Sequence, residues 1–161
     1  GLDCTGDEIT ELGIILLKDN ELLERMKAIT SEVKDLKQYF TDTKNPIAVI
    51  SVEKTRNQKY LFEDLKPLFE HIKILIIVEN NKNDVNNSYM LVWRVANNID
   101  SNRDLFIDGH TMCLDATNKN AFDNFNRRWP DDVDCTKEVI ESLRQRKIID
   151  VSDEFINKFY L

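Results

Sequence analysis

Glycine is scarce in this 161-residue sequence, in which the four glycines stand at positions 1, 6, 13 and 109. None of them lies where a predicted strand turns into a predicted helix. A phosphate-binding loop needs glycine at that turn, because its backbone must approach the phosphate closely. The sequence therefore excludes both the dinucleotide-binding fingerprint and the P-loop.

Cysteine, long apolar runs and clustered positive charge are scarce as well. The three cysteines lack metal-ligand spacing, which argues against a disulfide framework and against a zinc site. No apolar run approaches the ~20 residues that a membrane-spanning helix needs. The net charge is −7, and Lys and Arg are scattered among Asp and Glu, which argues against nucleic-acid binding. We expect a cytoplasmic protein with no transmembrane segment.

Short β-branched runs alternate with helical patterns in the middle of the sequence. The predicted strands cover 47–52, 74–78, 105–107 and 112–114, and the predicted helices between them cover 60–72 and 88–98. Such alternation predicts an α/β fold with a mostly parallel sheet and helices on both faces. Pro67 should split the first helix, and the second should bury Leu91, Val92 and Val95.

Residues 1–45 are predicted to form a lead-in to this 46–132 sheet domain. A strand at 13–18 precedes a long amphipathic helix that ends before Pro46. Its apolar positions recur at spacings of three and four, and they are Leu22, Met26, Ile29, Val33, Leu36 and Phe40. We interpret this segment as a core helix, with a coiled-coil-like seam as the alternative.

Residues 133–161 are predicted to form a C-terminal helical tail, with helices at 136–147 and 152–160, within the same globular unit. The last helix is short and apolar, so it must dock either on its own domain or on a neighbouring subunit. Both arrangements remain open. The candidate oligomer contacts are Phe155, Ile156, Phe159 and Tyr160.

A polar loop directly after the strand at 112–114 is the candidate functional loop. Its residues are Asp115, Thr117, Asn118 and Lys119, at the edge where open α/β sheets place ligands. The alternative is that these side chains satisfy the backbone groups of their own turn. We identify no catalytic, cofactor-binding or metal-ligating set in the sequence.

The histidines and the RRWP run (127–130) favour structural roles. His71 ends a predicted helix, where it can interact with the helix dipole, and His110 lies in a predicted turn. The RRWP run could bind an anion, or its tryptophan could pack on the domain while its arginines pair with Asp131 and Asp132. We favour packing.

Four motifs carry a resemblance to a known family. They are ILIIVEN (74–80), NIDSNRDLFI (98–107), MCLDATNK (112–119) and RRWP. In this order they resemble the carboxy-terminal domain of the UbiD-type decarboxylases, the polyprenyl-4-hydroxybenzoate carboxy-lyases, over about residues 73–149. The sequence begins with Gly1 rather than Met, which leaves open a processed N-terminus, an added residue or a segment cut from a longer chain. Together with the ordered motifs, it leads us to expect part of a longer enzyme.

The resemblance implies a non-oxidative decarboxylase of aromatic acids in quinone biosynthesis. Enzymes of this family use prenylated FMN, a divalent metal such as Mn²⁺, and K⁺, held by residues that precede this domain. The segment itself would then bind no cofactor. It would close the active site, contact the rest of its parent polypeptide and help to assemble a homo-oligomer, with peripheral membrane contact as an option for a polyprenyl substrate. The alternative is a stand-alone α/β small-molecule-binding or assembly module.

Overall fold

The computed structural model describes residues 8, 9, 14–133 and 135–159. The strands are β1 (Glu8–Ile9), β2 (Ile15–Leu16), β3 (Val33–Tyr39), β4 (Ile47–Val52), β5 (Ile74–Glu79), β6 (Leu105–Asp108) and β7 (Thr111–Asp115). The α-helices are α1 (Asp19–Ile29), α2 (Gln58–Asp64), α3 (Ser88–Asn98), α4 (Lys137–Gln145) and α5 (Asp153–Asn157). Short 3-10 helices cover Lys66–His71 and Ala121–Asp123. No helix among these residues is long and apolar enough to cross a membrane.

Five of the strands form one mixed sheet in the order β3-β4-β5-β7-β6. The inner strands β4, β5 and β7 run parallel, whereas β3 and β6 pair antiparallel at the two edges. The predicted α/β class is confirmed. Because the three inner strands are parallel, their carboxyl ends meet at one edge of the sheet.

Alternation along β4 divides the core between two faces of the sheet. Ala48, Ile50 and Val52 belong to one cluster, together with residues of α1 and α2. Ile47 and Val49 belong to a second cluster, together with residues of α3. Successive side chains of a strand point to opposite faces, so helices cover both faces, as predicted.

The predicted long helix over residues 22–40 is wrong in its second half. Helix α1 ends at Ile29, and β3 follows it. A bulge shifts the β3 register between Val33 and Asp35, so that Val33 and Leu36 reach the same core cluster at a spacing of three. The bulge therefore imitates helical spacing. Phe40 lies beyond the strand and is 62% exposed.

The other central elements agree with the predictions. The strands at 47–52 and 74–78 are β4 and β5, and Pro67 is the second residue of the 3-10 helix that follows α2. Helix α3 has the predicted bounds, but the prediction that it buries Val92 is wrong, because that residue is 70% exposed. The helix instead buries the polar residues Arg94 and Asn98, which serve contacts described below.

Both predicted tail helices form, each somewhat shorter than predicted. Thr136 caps α4 and Ser152 caps α5 through their side chains. Neither helix contains a buried residue. The assignment of 1–45, 46–132 and 133–161 as separate segments stays a prediction, although β3, from the first of them, belongs to the central sheet.

Candidate functional site at the carboxyl end of the sheet

The carboxyl ends of the parallel strands are the first place to look for a site in an open α/β sheet. Strand β4 ends at Val52, β5 at Glu79 and β7 at Asp115. A cleft of about 330 Å³ lies between the first two ends, and it is lined by residues 52–54 and 79–81. The candidate loop follows the third end.

The polar side chains of the candidate loop are buried, and they bind other groups of the same loop. Asp115, Thr117 and Lys119 are each at most 2% exposed. The Oδ1 atom of Asp115 accepts hydrogen bonds from the backbone N–H of Thr117 at 3.0 Å and from its hydroxyl at 2.6 Å. This is the alternative that the sequence left open, in which side chains satisfy the backbone of their own turn.

Lys119 lies between two buried carboxylates. Its Nζ atom is 2.9 Å from Oδ2 of Asp115 and 3.3 Å from Oδ1 of Asp104. It also donates to the backbone carbonyl of Asp115 at 2.8 Å. A buried ammonium group needs such partners, because its transfer out of water is otherwise costly.

Asp104 is held in its ionised form by its neighbours. Arg103 donates from Nε and Nη2 to its two carboxylate oxygens, each at 2.8 Å, and the backbone N–H of Asp100 donates to it at 2.9 Å. Burial acts to raise the pKa of Asp104, but these hydrogen bonds and the charge of Lys119 outweigh it and hold the pKa below its usual value.

Lys54 is a central residue that sequence reasoning missed. Its Nζ atom donates to Oγ1 of Thr117 at 2.9 Å, to the carbonyl of Asn118 at 2.9 Å and to Oδ2 of Asp123 at 2.6 Å. Asp123 also accepts from the side chain of Asn57 at 3.1 Å. The only signal in the sequence was the place of Lys54, two residues after the end of β4.

Asn118 is tied to two further elements. Its side-chain oxygen accepts from Asn98 of α3 at 3.0 Å, and Asn98 also donates to the carbonyl of Ala116 at 2.9 Å. The backbone N–H of Asn118 donates to Glu79 at the end of β5 at 3.4 Å. These contacts explain why α3 buries Asn98.

We call these residues the carboxyl-end network. Its ion-paired members are the cations Lys54, Arg103 and Lys119 and the carboxylates Asp104, Asp115 and Asp123. Three cations thus balance three carboxylates. Since each acid here already accepts from a cation or a backbone group, none is left as a free general base or nucleophile. The network can fix the loop in place, and the absence of catalytic residues from this segment stays a prediction.

The structure places the RRWP run as favoured by the sequence, with one exception. Trp129 packs edge-on against Phe125, with ring centroids 5.2 Å apart, and Arg128 pairs with Asp131 at 2.5 Å. Asp132 pairs instead with the buried Arg94 at 2.7 Å. Hydrogen bonds from Arg94 hold the pKa of Asp132 below its usual value.

His71 is a buried structural residue. Its Nδ1 atom lies 2.8 Å from the carbonyl of Ile15, and its Nε2 atom lies 3.2 Å from Arg25. A carbonyl can only accept and a guanidinium can only donate, so these two contacts match the tautomer with the proton on Nδ1. His71 thus joins β2 and α1 to the domain.

The candidate oligomer contacts lie on the surface of α5 and just after it. Phe155 and Phe159 are about half exposed and contact each other, with ring centroids 5.1 Å apart. Phe159 also packs edge-on against Tyr89 at 5.5 Å, so the tail docks at least partly on its own domain. Ile156 is half-buried. Tyr160 lies outside the described residues. Their role in an oligomer stays a prediction.

A family model matches most of this chain. The family is the 3-octaprenyl-4-hydroxybenzoate carboxy-lyase C-terminal domain, and the match covers residues 14–128. The chain belongs to this family. The resemblance found in the sequence is therefore confirmed, and the tail helices lie beyond the matched residues.

Two curated relatives match the whole chain. They are uncharacterized proteins of Helicobacter pylori, 42% identical in strain J99 and 41% identical in strain 26695, each over 164 residues. The match covers 100% of this chain but 26% of either relative. The chain thus spans about a quarter of the length of the curated relatives it matches.

Solved structures of UbiD-class enzymes share the fold. An evolved dimeric form of HmfF from Pelotomaculum thermopropionicum, in complex with prFMN, has a TM-score of 0.50 at 23% identity, covering 70% of this chain and 26% of that one. The closed form of vanillic acid decarboxylase from Sedimentibacter hydroxybenzoicus has a TM-score of 0.57 at 19% identity, covering 79% and 30%.

The residues of this domain do not fit a flavin phosphate or a metal ion. Within the described ranges, the buried cations Lys54, Arg94 and Lys119 each face a carboxylate at 2.9 Å or less. No three His, Cys, Asp or Glu side chains there are grouped to hold a metal. We therefore derive no chemical step through the cofactor, and the absence of a cofactor from this segment stays a prediction.

Proposed function

We propose that this chain is the C-terminal domain of a longer carboxy-lyase that removes CO₂ from an aromatic acid. The cofactor and the acid and base groups would then belong to the preceding part of the polypeptide. The family match over residues 14–128 and the fourfold greater length of the matched relatives support this arrangement.

The observation that carries the proposal is that the buried charged groups of the carboxyl-end network are already paired with one another. The place where an open α/β sheet binds its ligands is filled here by paired side chains, with Lys119 fully buried between Asp104 and Asp115. A set of buried charges that are already paired with one another suits a domain that supports a site built elsewhere.

The role we infer for the domain is closure of the active site together with oligomer assembly. The vanillic acid decarboxylase with the same fold occurs in an open and in a closed form. A domain that moves as one body needs internal ties, and Lys54 ties β4 to the loop after β7. The exposed aromatic rings of the tail supply apolar surface for assembly.

The substrate class we propose is an aromatic acid of the polyprenyl-4-hydroxybenzoate type, with prFMN, Mn²⁺ and K⁺ bound upstream. The family description supports the substrate, and the HmfF complex supports prFMN. The stand-alone binding module remains the alternative, but burial of Asp115, Thr117 and Lys119 leaves those side chains little room to contact a ligand.

The test is decarboxylation by the full-length protein that carries this sequence, loaded with prFMN, Mn²⁺ and K⁺. Polyprenylated 4-hydroxybenzoate, 4-hydroxybenzoate and vanillate would be supplied, and CO₂ and the decarboxylated product would be quantified. We expect turnover of at least one acid, with the prenylated one preferred. Failure to consume any aromatic acid would contradict the proposal.

A thermal-shift screen of the same protein tests the alternative, a small-molecule-binding module. Stabilisation by a small molecule that survives removal of prFMN, and that Asn118→Ala abolishes, would favour a binding module at the loop. When Asn118 is replaced, Asn98 keeps its hydrogen bond to the carbonyl of Ala116, so the fold should stay intact.

A further inference from the structure

The segment 124–136, which we call the strap, joins the sheet domain to the tail helices, and its described residues form no helix or strand. Asp132 lies in the strap. Its carboxylate accepts hydrogen bonds from Nη1 of Arg94 at 2.7 Å, from Nη2 of Arg94 at 3.2 Å and from Nζ of Lys82 at 3.0 Å. Two carboxylate oxygens that face one planar guanidinium fix the direction of the contact as well as its distance.

Arg94 makes this contact strong because it is buried. It lies within α3 and is 1% exposed. Its Nε atom donates to the side chain of Asn83 at 3.0 Å, and Asp132 supplies the carboxylate that pairs with its charge. A buried cation without a carboxylate is costly. The strap is therefore anchored firmly to α3 at this one residue.

The two tail helices are bound to each other. Arg144 of α4 pairs with Asp153 of α5 at 2.6 Å, and it donates to the backbone carbonyl of Val151 at 3.0 Å. One side chain of α4 thus holds both the start of α5 and the turn before it. Because of these contacts, we expect α4 and α5 to move together.

The far end of the tail lies lightly on the first turn of α3. The Nδ2 atom of Asn87, the N-cap of α3, donates to the carbonyl of Lys158 at 3.1 Å. Phe159 packs edge-on against Tyr89, and both rings are about half exposed. Neither α4 nor α5 contains a buried residue. Segments with few buried contacts open locally at a low cost in free energy.

We infer that the tail is an arm that leaves α3 while the sheet domain stays folded, and that Asp132, held by Arg94 and Lys82, is the latch that keeps the arm in place. Asp132 lies five residues before the start of α4, so opening of the latch frees the strap and both tail helices together. The inference makes no use of the decarboxylase activity. Its tests therefore measure motion of the tail and not turnover.

Hydrogen exchange of the full-length protein, followed by mass spectrometry, tests the latch. Asp132→Asn keeps the size of the side chain but removes the charge that pairs with Arg94. We expect the amides of 138–145 and 154–159 to exchange about tenfold faster than in the unsubstituted protein, because the tail then opens more often. The amides of β4 and β5, which lie in the core, should be accelerated much less.

Asp131→Asn is the matched control. Asp131 is the neighbouring residue, and it pairs with Arg128 on the exposed surface. Loss of an exposed pair has little effect, so exchange in the tail should stay as it is in the unsubstituted protein. Unchanged exchange in Asp132→Asn, or equal acceleration by the two substitutions, would overturn the inference.

A double variant separates release of the tail from loss of stability in the domain. Arg94→Met/Asp132→Asn removes both charges, so that no buried cation is left without a carboxylate. We expect its tail amides to exchange as fast as those of Asp132→Asn, while β4 and β5 keep the protection that they have in the unsubstituted protein. Tail exchange as slow as in the unsubstituted protein, or equal acceleration of the tail and the two strands, would contradict the latch.

Asn87→Asp tests the lighter contact at the far end of the tail. Aspartate caps a helix about as well as asparagine does, but its carboxylate cannot donate to the carbonyl of Lys158. Exchange in the tail should therefore rise, but less than in Asp132→Asn, because the latch is still closed. A larger rise in Asn87→Asp than in Asp132→Asn would show that Asp132 is not the latch.

Discussion

The carboxyl-end network and the C-terminal tail use polar and apolar side chains in opposite ways. In the network, the side chains of Lys54 and Lys119 are at most 2% exposed and bind carboxylates at under 3 Å. In the tail, neither α4 nor α5 buries a residue, while Phe155 is 51% exposed. Charged side chains are buried in the network, where they hold the domain together. Apolar side chains are exposed in the tail.

Because of this contrast, substitutions in the two regions should change different measured quantities. Substitutions in the network should lower the free energy of unfolding, because they leave buried charges without their partners. Substitutions in the tail should leave that free energy nearly unchanged and alter association instead. The predictions below run from the largest expected effect to the smallest.

The largest effect is expected for Lys119→Met. The substitution leaves Asp104 and Asp115 buried near one another without the cation between them. Removal of one partner of a buried pair costs about 3–5 kcal/mol. Urea unfolding followed by circular dichroism measures the change. Lys59→Met on the exposed surface of α2 is the control, and it should shift the free energy of unfolding by about 0.5 kcal/mol or less. Equal effects of the two substitutions would refute the structural role of Lys119.

A smaller loss is expected for Lys54→Met. Asp123 keeps its hydrogen bonds from Asn57 and from the backbone N–H of Asn120, so its carboxylate stays partly satisfied. The expected cost is about 2–3 kcal/mol. Hydrogen exchange should show faster opening at residues 117–123, whose tie to β4 is removed. Unchanged protection of those amides would argue against a tie through Lys54.

Acid should weaken the ion pairs of Asp104 and Asp132 in a defined direction. The folded-state pKa values of Asp104 and Asp132 lie below their usual values. Their contribution to stability is therefore fully present above the unfolded-state pKa of about 4 and is lost as the pH falls through the lower folded-state values. Unfolding midpoints at pH 7 and pH 3 test this. The variant Asp104→Asn should lose less stability between the two pH values than the unsubstituted protein does.

The smallest effect on folding is expected for Phe155→Ser in the tail. The ring is half exposed, so the free energy of unfolding should change by about 0.5 kcal/mol or less. If the tail is an oligomer contact, light scattering of the full-length protein should nevertheless show a lower mass. Gln145→Ser, at an exposed position of α4, is the control. An unchanged mass for Phe155→Ser would remove this residue from the candidate contacts.

Sequence patterns predicted elements well where one period dominates. The apolar run of β4 and the bounds of α3 followed directly from β-branched runs and from helical spacing. The same method failed for β3, because a bulge between Val33 and Asp35 gave the strand a helix-like spacing. It also failed for Val92, because α3 turns Arg94 and Asn98 inward to meet distant partners.

The candidate loop lies where the sequence placed it, directly after a strand, but its contacts were not predictable and its functional role stays a prediction. Position after a strand marked Asp115 to Lys119, and two interpretations remained open. The choice between them depends on Lys54 and Asp104, which lie 61 and 11 residues before Asp115. No local pattern records such long-range pairs.

The sequence by itself determined the family, the alternation of strands and helices, and the absence of a phosphate loop, because these depend on local composition and on ordered motifs. Tertiary structure decided which charges are buried and which apolar residues stay exposed. Those properties arise only when distant segments meet, since the burial and hydrogen bonding of a side chain are set by its neighbours in space.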